Sequence, residues 1–177
     1  EGFAAQDRGT LVIATEVLAE TAGLVALPCY RWTHVVVVPP DHVLAREAEQ
    51  GRTLTLRRLA DFPLITYEGG YTGRSHIDQA FARHGLKPDV VLAAMDADVI
   101  KTYVELGMGV GIVNNVAYDA ERDYRLKQIQ TDIFGINTTW LAVRKGHLLR
   151  GYGYEFISLC APNADIKALK RIAYPEE

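Results

Sequence analysis

The stretch PLITYEGGYTGRSHIDQAFARHGLKPDVVLAAMDADVIKTYVELGMGVGIV, residues 63–113, switches repeatedly between short apolar runs and helical periodicity, and its reading decides the fold. Pro63-Leu64-Ile65-Thr66-Tyr67 reads as a strand and Glu68-Gly69-Gly70-Tyr71 as a turn. From Gly73 to His84, Ile77, Ala80 and Phe81 fall at spacings of three and four, so they share one helix face; Gly85 supplies the stop, with Pro88 soon after. Val90 to Met95 is a second buried strand. Asp96 can cap the next helix, on which Ile100, Tyr103 and Val104 align ahead of Gly107, and Val110 to Val113 forms a third strand. Strand, helix, strand, helix, strand with apolar strands predicts a parallel sheet joined by right-handed crossovers.

Outward from this lobe the signals are shorter. Glu1 to Arg8 reads as the last turn of a helix stopped at Gly9, and Thr10 to Thr15 as a buried strand. A domain seldom opens on the end of a helix, so the sequence reads as a fragment whose first lobe lacks part of its sheet. Val35-Val36-Val37-Val38 is a strand stopped by Pro39-Pro40, and Thr55 can cap a short helix from Leu56 to Ala60. After a polar stretch, Leu126 to Gln130 and Thr138 to Val143 read as strands, followed by a helix with Tyr152, Phe156 and Leu159 on one face. These are expected to return to the first lobe. The expected organisation is α/β: two Rossmann-like lobes with a hinge, residues 1–32 in the first, 33–114 in the second, 115–160 back in the first, and a tail over 161–177. The two crossings, near Cys29 to Val36 and near Asn114 to Ile129, would leave a cleft at the carboxyl ends of the strands.

Composition narrows the function. A length of 177 residues suits one domain or two small lobes, and 49% apolar with 23% charged residues is ordinary for a globular protein. Nineteen Lys and Arg against 22 Asp and Glu give a net charge of -3, which lacks the cation excess a nucleic-acid backbone calls for. No apolar run approaches the roughly 20 residues needed to span a bilayer, and residues 1–8 do not read as a signal peptide, so a soluble cytoplasmic protein is expected. Cys29 and Cys160, each in apolar surroundings, read as two buried reduced thiols rather than a disulfide. The five His lack metal-ligand spacing, and neither a metal nor a cofactor is expected.

Thr72-Gly73-Arg74-Ser75 lies between the carboxyl end of a strand and the amino end of a helix, where backbone N–H groups and the helix dipole favour an anion. Thr72 either caps its own helix or donates to that anion. Thr15, at the end of the first lobe's strand, either faces the same cleft or is a turn residue. Asp96-Ala97-Asp98 reads as helix capping rather than a metal or acid–base pair. Gly107-Met108-Gly109-Val110-Gly111 runs from helix to strand, the reverse of a phosphate loop, and reads as a helix stop followed by close packing. Trp32 and Tyr30 either pack at the hinge or line the cleft, and Lys101 and Arg144 are expected in solvent. There is no Gly-x-Ser-x-Gly elbow, no Cys with a local base and no phosphate-loop Lys, so an enzyme lacks its actor.

The strings Ile13-Ala14-Thr15-Glu16, Leu27-Pro28-Cys29-Tyr30-Arg31-Trp32, Pro40-Asp41-His42, Tyr71-Thr72-Gly73-Arg74-Ser75 and Asp96 to Gly111 together resemble the effector-binding domain of LysR-type transcriptional regulators, within them the CysB-like members that govern sulfur assimilation. The resemblance covers Gly9 to Ala161. It implies two lobes like a type 2 periplasmic binding protein, with sulfate or an acetylserine-type inducer as the small-molecule effector. It also implies assembly as a homodimer or homotetramer, on promoter DNA held by a winged helix-turn-helix outside this chain. By the same resemblance Thr15, Thr72 and Trp32 match effector-site positions, with Gly73, Arg74 and Ser75 as neighbours. The family's Thr-Thr-His-Thr-Gln-Ala-Arg string, which supplies further anion donors, does not occur here, and Ala48-Glu49-Gln50-Gly51 looks longer than the usual linker. Two rivals remain open: a solute-binding transport protein for a small anion, and a small-substrate α/β enzyme.

Overall fold

In the computed structural model, residues 11–70, 72–146 and 149–173 are described, with backbone only for Glu16, Val17, Thr72 and Ala173. The expected helix end at Glu1 to Gly9 and the turn residue Tyr71 lie outside the described residues. Contacts group the chain into two units, one of residues 1–31 with 137–177 and one of Trp32–Ile136.

The second unit contains the stretch from which the reading began. β3 (Pro63–Tyr67) pairs in parallel with β4 (Asp89–Ala94) and with β5 (Val110–Asn114), and α3 (Thr72–Arg83) and α4 (Ala97–Glu105) make the crossovers. β2 (Leu24–Val38) adds an antiparallel neighbour on β5, with Val35 opposite Val113 and Val37 opposite Gly111. The valine run needs no polar alternation because both faces of this sheet are covered. Val36 and Val38 join Leu64, Ile77, Phe81 and Ile112 in one core cluster, while Val35 and Val37 join Ile65, Ile100, Val104 and Val113 in another. Each fully buried side chain of this size contributes about 1.5–3 kcal/mol.

Helix boundaries follow their capping chemistry. Asp96 Oδ1 accepts from Val99 N–H at 2.9 Å and Thr55 Oγ1 from Arg58 N–H at 3.2 Å, so both expected caps form. α2 (Leu56–Leu59) starts at the second of them. The glycine string also matches its reading. Gly107 ends α4 with φ +74°, and a Cβ on Gly111 would come within 2.6 Å of Val37 and 2.7 Å of Val104.

Several expectations need correction. The strand expected at Val35 to Val38 extends back to Leu24, through Pro28. Neither β5 nor β6 (Lys127–Ile129) pairs with β2 before His34, so Pro28 costs those ladders no hydrogen bond. Ala48 to Gly51, read as a linker, is partly helical. Ala48 and Glu49 end α1 (Val43–Glu49), whose first turn is capped by His42 Nδ1 accepting from Leu44 N–H, and Gly51 follows with φ +75°. β6 was expected to return to the first lobe, but it pairs with Val36–Val38 in the second unit. A three-residue strand holds no local signal for which sheet edge it joins. Lys101, expected in solvent, is 5% exposed. Its Nζ donates to both carboxylate oxygens of buried Asp123 at 3.0 Å and to the Ala117 carbonyl at 2.9 Å, and pairs with Asp98. Burial depresses its pKa, but its hydrogen bonds to Asp123 and Asp98 outweigh that and leave it raised.

In the other unit, β1 (Leu11–Ala14) pairs antiparallel with β7 (Ile136–Arg144), Leu11 opposite Val143 and Ala14 opposite Trp140. Leu141, Val143, Tyr154, Ile157 and Leu169 build its core, the last from α6 (Ile166–Ala173). Here the face expected of α5 (Gly151–Cys160) is reversed. Tyr152, Phe156 and Leu159 are exposed, and Tyr154 and Ile157 turn inward. Both stripes are apolar at helical spacing, so periodicity alone does not choose between them. Cys29 and Cys160 are free thiols, half-buried against this core rather than fully enclosed.

Candidate functional site

The carboxyl ends of β3 and β5 and the amino end of α3 converge within the second unit. The turn after β3 passes through Gly70 at φ +97°, a conformation costly for any residue with a Cβ, and α3 then begins at Thr72. Helix starts leave backbone N–H groups without intrahelical acceptors and carry the positive end of the dipole. Arg74 fixes this start. Its Nη1 donates to the Tyr67 carbonyl at 2.9 Å and its Nε to Asp78 Oδ1 at 2.8 Å, tying the first turn of α3 back to β3. Arg74 therefore positions the helix start, and Asp78 offsets part of its charge.

Gly73 is buried, and two rings lie beneath it. A Cβ at this position would stand 3.1 Å from His34 Nε2 and 3.5 Å from the Trp32 ring. Trp32 and His34 meet edge-on with centroids 5.1 Å apart, and His34 meets Phe134 in the same manner at 5.6 Å. Trp32, from the expected set, is 8% exposed, packed beside the helix start. The structure thus brings together Trp32, Gly73 and Arg74. Ser75 lies exposed on the same first turn, and the Thr72 side chain falls outside the described residues. Thr15 belongs to the other unit, where its carbonyl accepts from Leu18 N–H at 3.1 Å and it precedes a 3-10 turn, Glu16–Glu20.

Two residues that sequence reasoning passed over stand at the centre of this arrangement. His34 is fully buried, yet among the described residues neither ring nitrogen has a hydrogen-bond partner, and Asn114 Oδ1 is likewise buried and unpartnered there. The two are directly opposite each other across the β2–β5 ladder, so their side chains rise from one face of the sheet. Each such unsatisfied group costs about 1–3 kcal/mol, which makes two together a feature needing explanation. Burial chiefly, with nearby His76 adding to it, lowers the His34 pKa to about 4, so the ring is neutral at pH 7 and carries one N–H donor. The surroundings are tied down. Asn114 N–H donates to Tyr67 Oη at 3.1 Å, and Thr33 N–H to Asn115 Oδ1 at 3.0 Å. The only available signal in the sequence was a His set into an otherwise apolar strand.

No group of three or more His, Cys, Asp or Glu suited to a metal occurs among the described residues, and no described helix is long and apolar enough to cross a membrane. The arrangement offers fixed dipoles and hydrogen-bonding groups suited to orienting a small polar ligand, and among the described residues it places no nucleophile beside a base.

Comparison with known proteins agrees with this character. Residues 5–164 match the family described as the LysR substrate binding domain. The chain is 51% identical over 168 residues to the HTH-type transcriptional regulator SsuR of Burkholderia cenocepacia, covering 92% of this chain and 53% of that protein. It is 46% identical over 166 residues to CysB of the same organism, covering 93% and 52%. Among solved structures, the cofactor-binding domain of the Cbl transcriptional regulator superposes with a TM-score of 0.84 at 42% identity, over 95% of this chain and 72% of that one. The chain spans about half the length of the curated relatives it matches.

Proposed function

We propose, from the premise that this chain belongs to the LysR substrate-binding domain family, that it is the effector-sensing part of a regulator of sulfur assimilation or cysteine biosynthesis. The observation that carries this reading is an identity of 46–51% to regulators named SsuR and CysB. Those relatives are transcriptional regulators and not enzymes. The effector is a small anion, sulfate or an acetylserine-type inducer, received at the start of α3 by Thr72, Gly73, Arg74 and Ser75 with Trp32 beside them, and Thr15 contributes a further hydroxyl. The net charge of -3 supports assigning DNA contact to a winged helix-turn-helix elsewhere in the full-length regulator, a cytoplasmic protein working as a homodimer or homotetramer.

Calorimetry tests the assignment. Sulfate and N-acetylserine are titrated into the wild-type chain and into the double variant T15V/T72V. Loss of the two hydroxyls is expected to weaken binding at least tenfold; an affinity unchanged in the double variant removes both threonines from the site. A solute-binding role in transport makes the opposite genetic prediction, an export signal preceding the domain, and a regulator requires a DNA-binding domain there.

A further inference from the structure

We propose that His34 and Asn114 form a donor–acceptor pair that reads the effector, selecting a small acid that also bears an N–H or O–H group over an ion that only accepts hydrogen bonds. The inference rests on the effector site proposed at the start of α3 and deepens it by naming two residues outside that helix.

Three independent features point the same way. Both side chains bury polar atoms with no partner among the described residues, which native cores seldom tolerate unless another group satisfies them. They are cross-strand neighbours, so one ligand can engage both. His34 also lies against the start of α3 with no side chain intervening, because residue 73 is glycine and His34 Nε2 stands 3.1 Å from where a Cβ would be. The neutral ring offers an N–H to an oxygen of the ligand, while Asn114 Oδ1 accepts from a ligand donor. Sulfate, with acceptors alone, satisfies the first and leaves the second unmet. An acylated amino acid, with a carboxylate and an amide N–H, satisfies both. Trp32, Phe134 and the Tyr67 hydroxyl enclose the pair and hold it in place.

The test compares H34F, H34Q and N114A with the wild-type chain, using sulfate and N-acetylserine as the two probes in calorimetry. H34F keeps the ring contacts to Trp32 and Phe134 but removes both nitrogens. It is expected to weaken both probes at least tenfold, and H34Q, which restores a side-chain N–H, to recover part of that loss. N114A is expected to weaken N-acetylserine at least fivefold while sulfate stays within twofold. Binding of both probes within twofold of wild type in H34F overturns the proposal, and equal loss of both probes in N114A overturns the selective role of Asn114. An independent reading needs no variant: nitrogen-15 spectra of the wild-type imidazole should shift on saturation with N-acetylserine, and unchanged His34 signals at saturation overturn its contact with the ligand. Failure of the wild-type chain to bind either probe removes the effector site itself, an outcome distinct from binding that ignores His34.

Discussion

His34 shows how a single side chain can couple stability to pH. Its pKa is lowered to about 4 in the folded chain from an ordinary 6.5, so between these values the unfolded chain binds the extra proton. Stability is complete above about pH 6.5, declines as pH falls toward 4, and levels off below, with a total effect of about 3 kcal/mol. Denaturant melts of wild type and H34F across pH 4–7 should show this slope reduced in the variant, and equal slopes would assign the acid sensitivity to other groups. At this scale the helix start at Thr72-Gly73-Arg74-Ser75 was legible, because helix-start chemistry is local. His34 and Asn114 were not, since their lack of partners is a property of a ladder joining residues 80 positions apart in sequence.

Among the elements, the ion pair of Lys101 with Asp123 joins α4 to the segment that follows β5. Asp123 also accepts from Asp119 N–H at 2.9 Å, so one carboxylate organises both a helix and a turn. D123N leaves the Lys101 charge buried with only the exposed Asp98 and a carbonyl for company. It is expected to cost about 3–5 kcal/mol in urea melts, whereas K101M/D123L, which removes both charges, should cost far less. A loss below about 1 kcal/mol in D123N would show that the pair is effectively solvated. The alternation of strand and helix over residues 63–113 was readable because each element carries its own periodicity, caps and stops. The length of β2, the face of α5 and the partner of β6 were not readable. Pro28 masks a strand that it does not interrupt, α5 is apolar on two stripes, and β6 is too short to carry a pattern.

For the whole molecule, an effector that binds only the native state must raise its stability. At one hundred times its dissociation constant the gain is about 2.7 kcal/mol, a rise of a few degrees in Tm. Thermal melts with sulfate and with N-acetylserine should both show it, and T15V/T72V should lose it; an equal rise in that variant would place the ligand elsewhere. The sequence by itself determined the α/β class, the order of elements over residues 63–113 and the regulator family, because these depend on patterns along the chain and on strings matched in order. Only the tertiary structure decided that Lys101 is buried, that Tyr154 rather than Tyr152 faces a core, and that the His34 ring nitrogens and Asn114 Oδ1 are buried without partners among the described residues. Burial and hydrogen-bond satisfaction are set by which distant segments pack together, and that is written in no single stretch of residues.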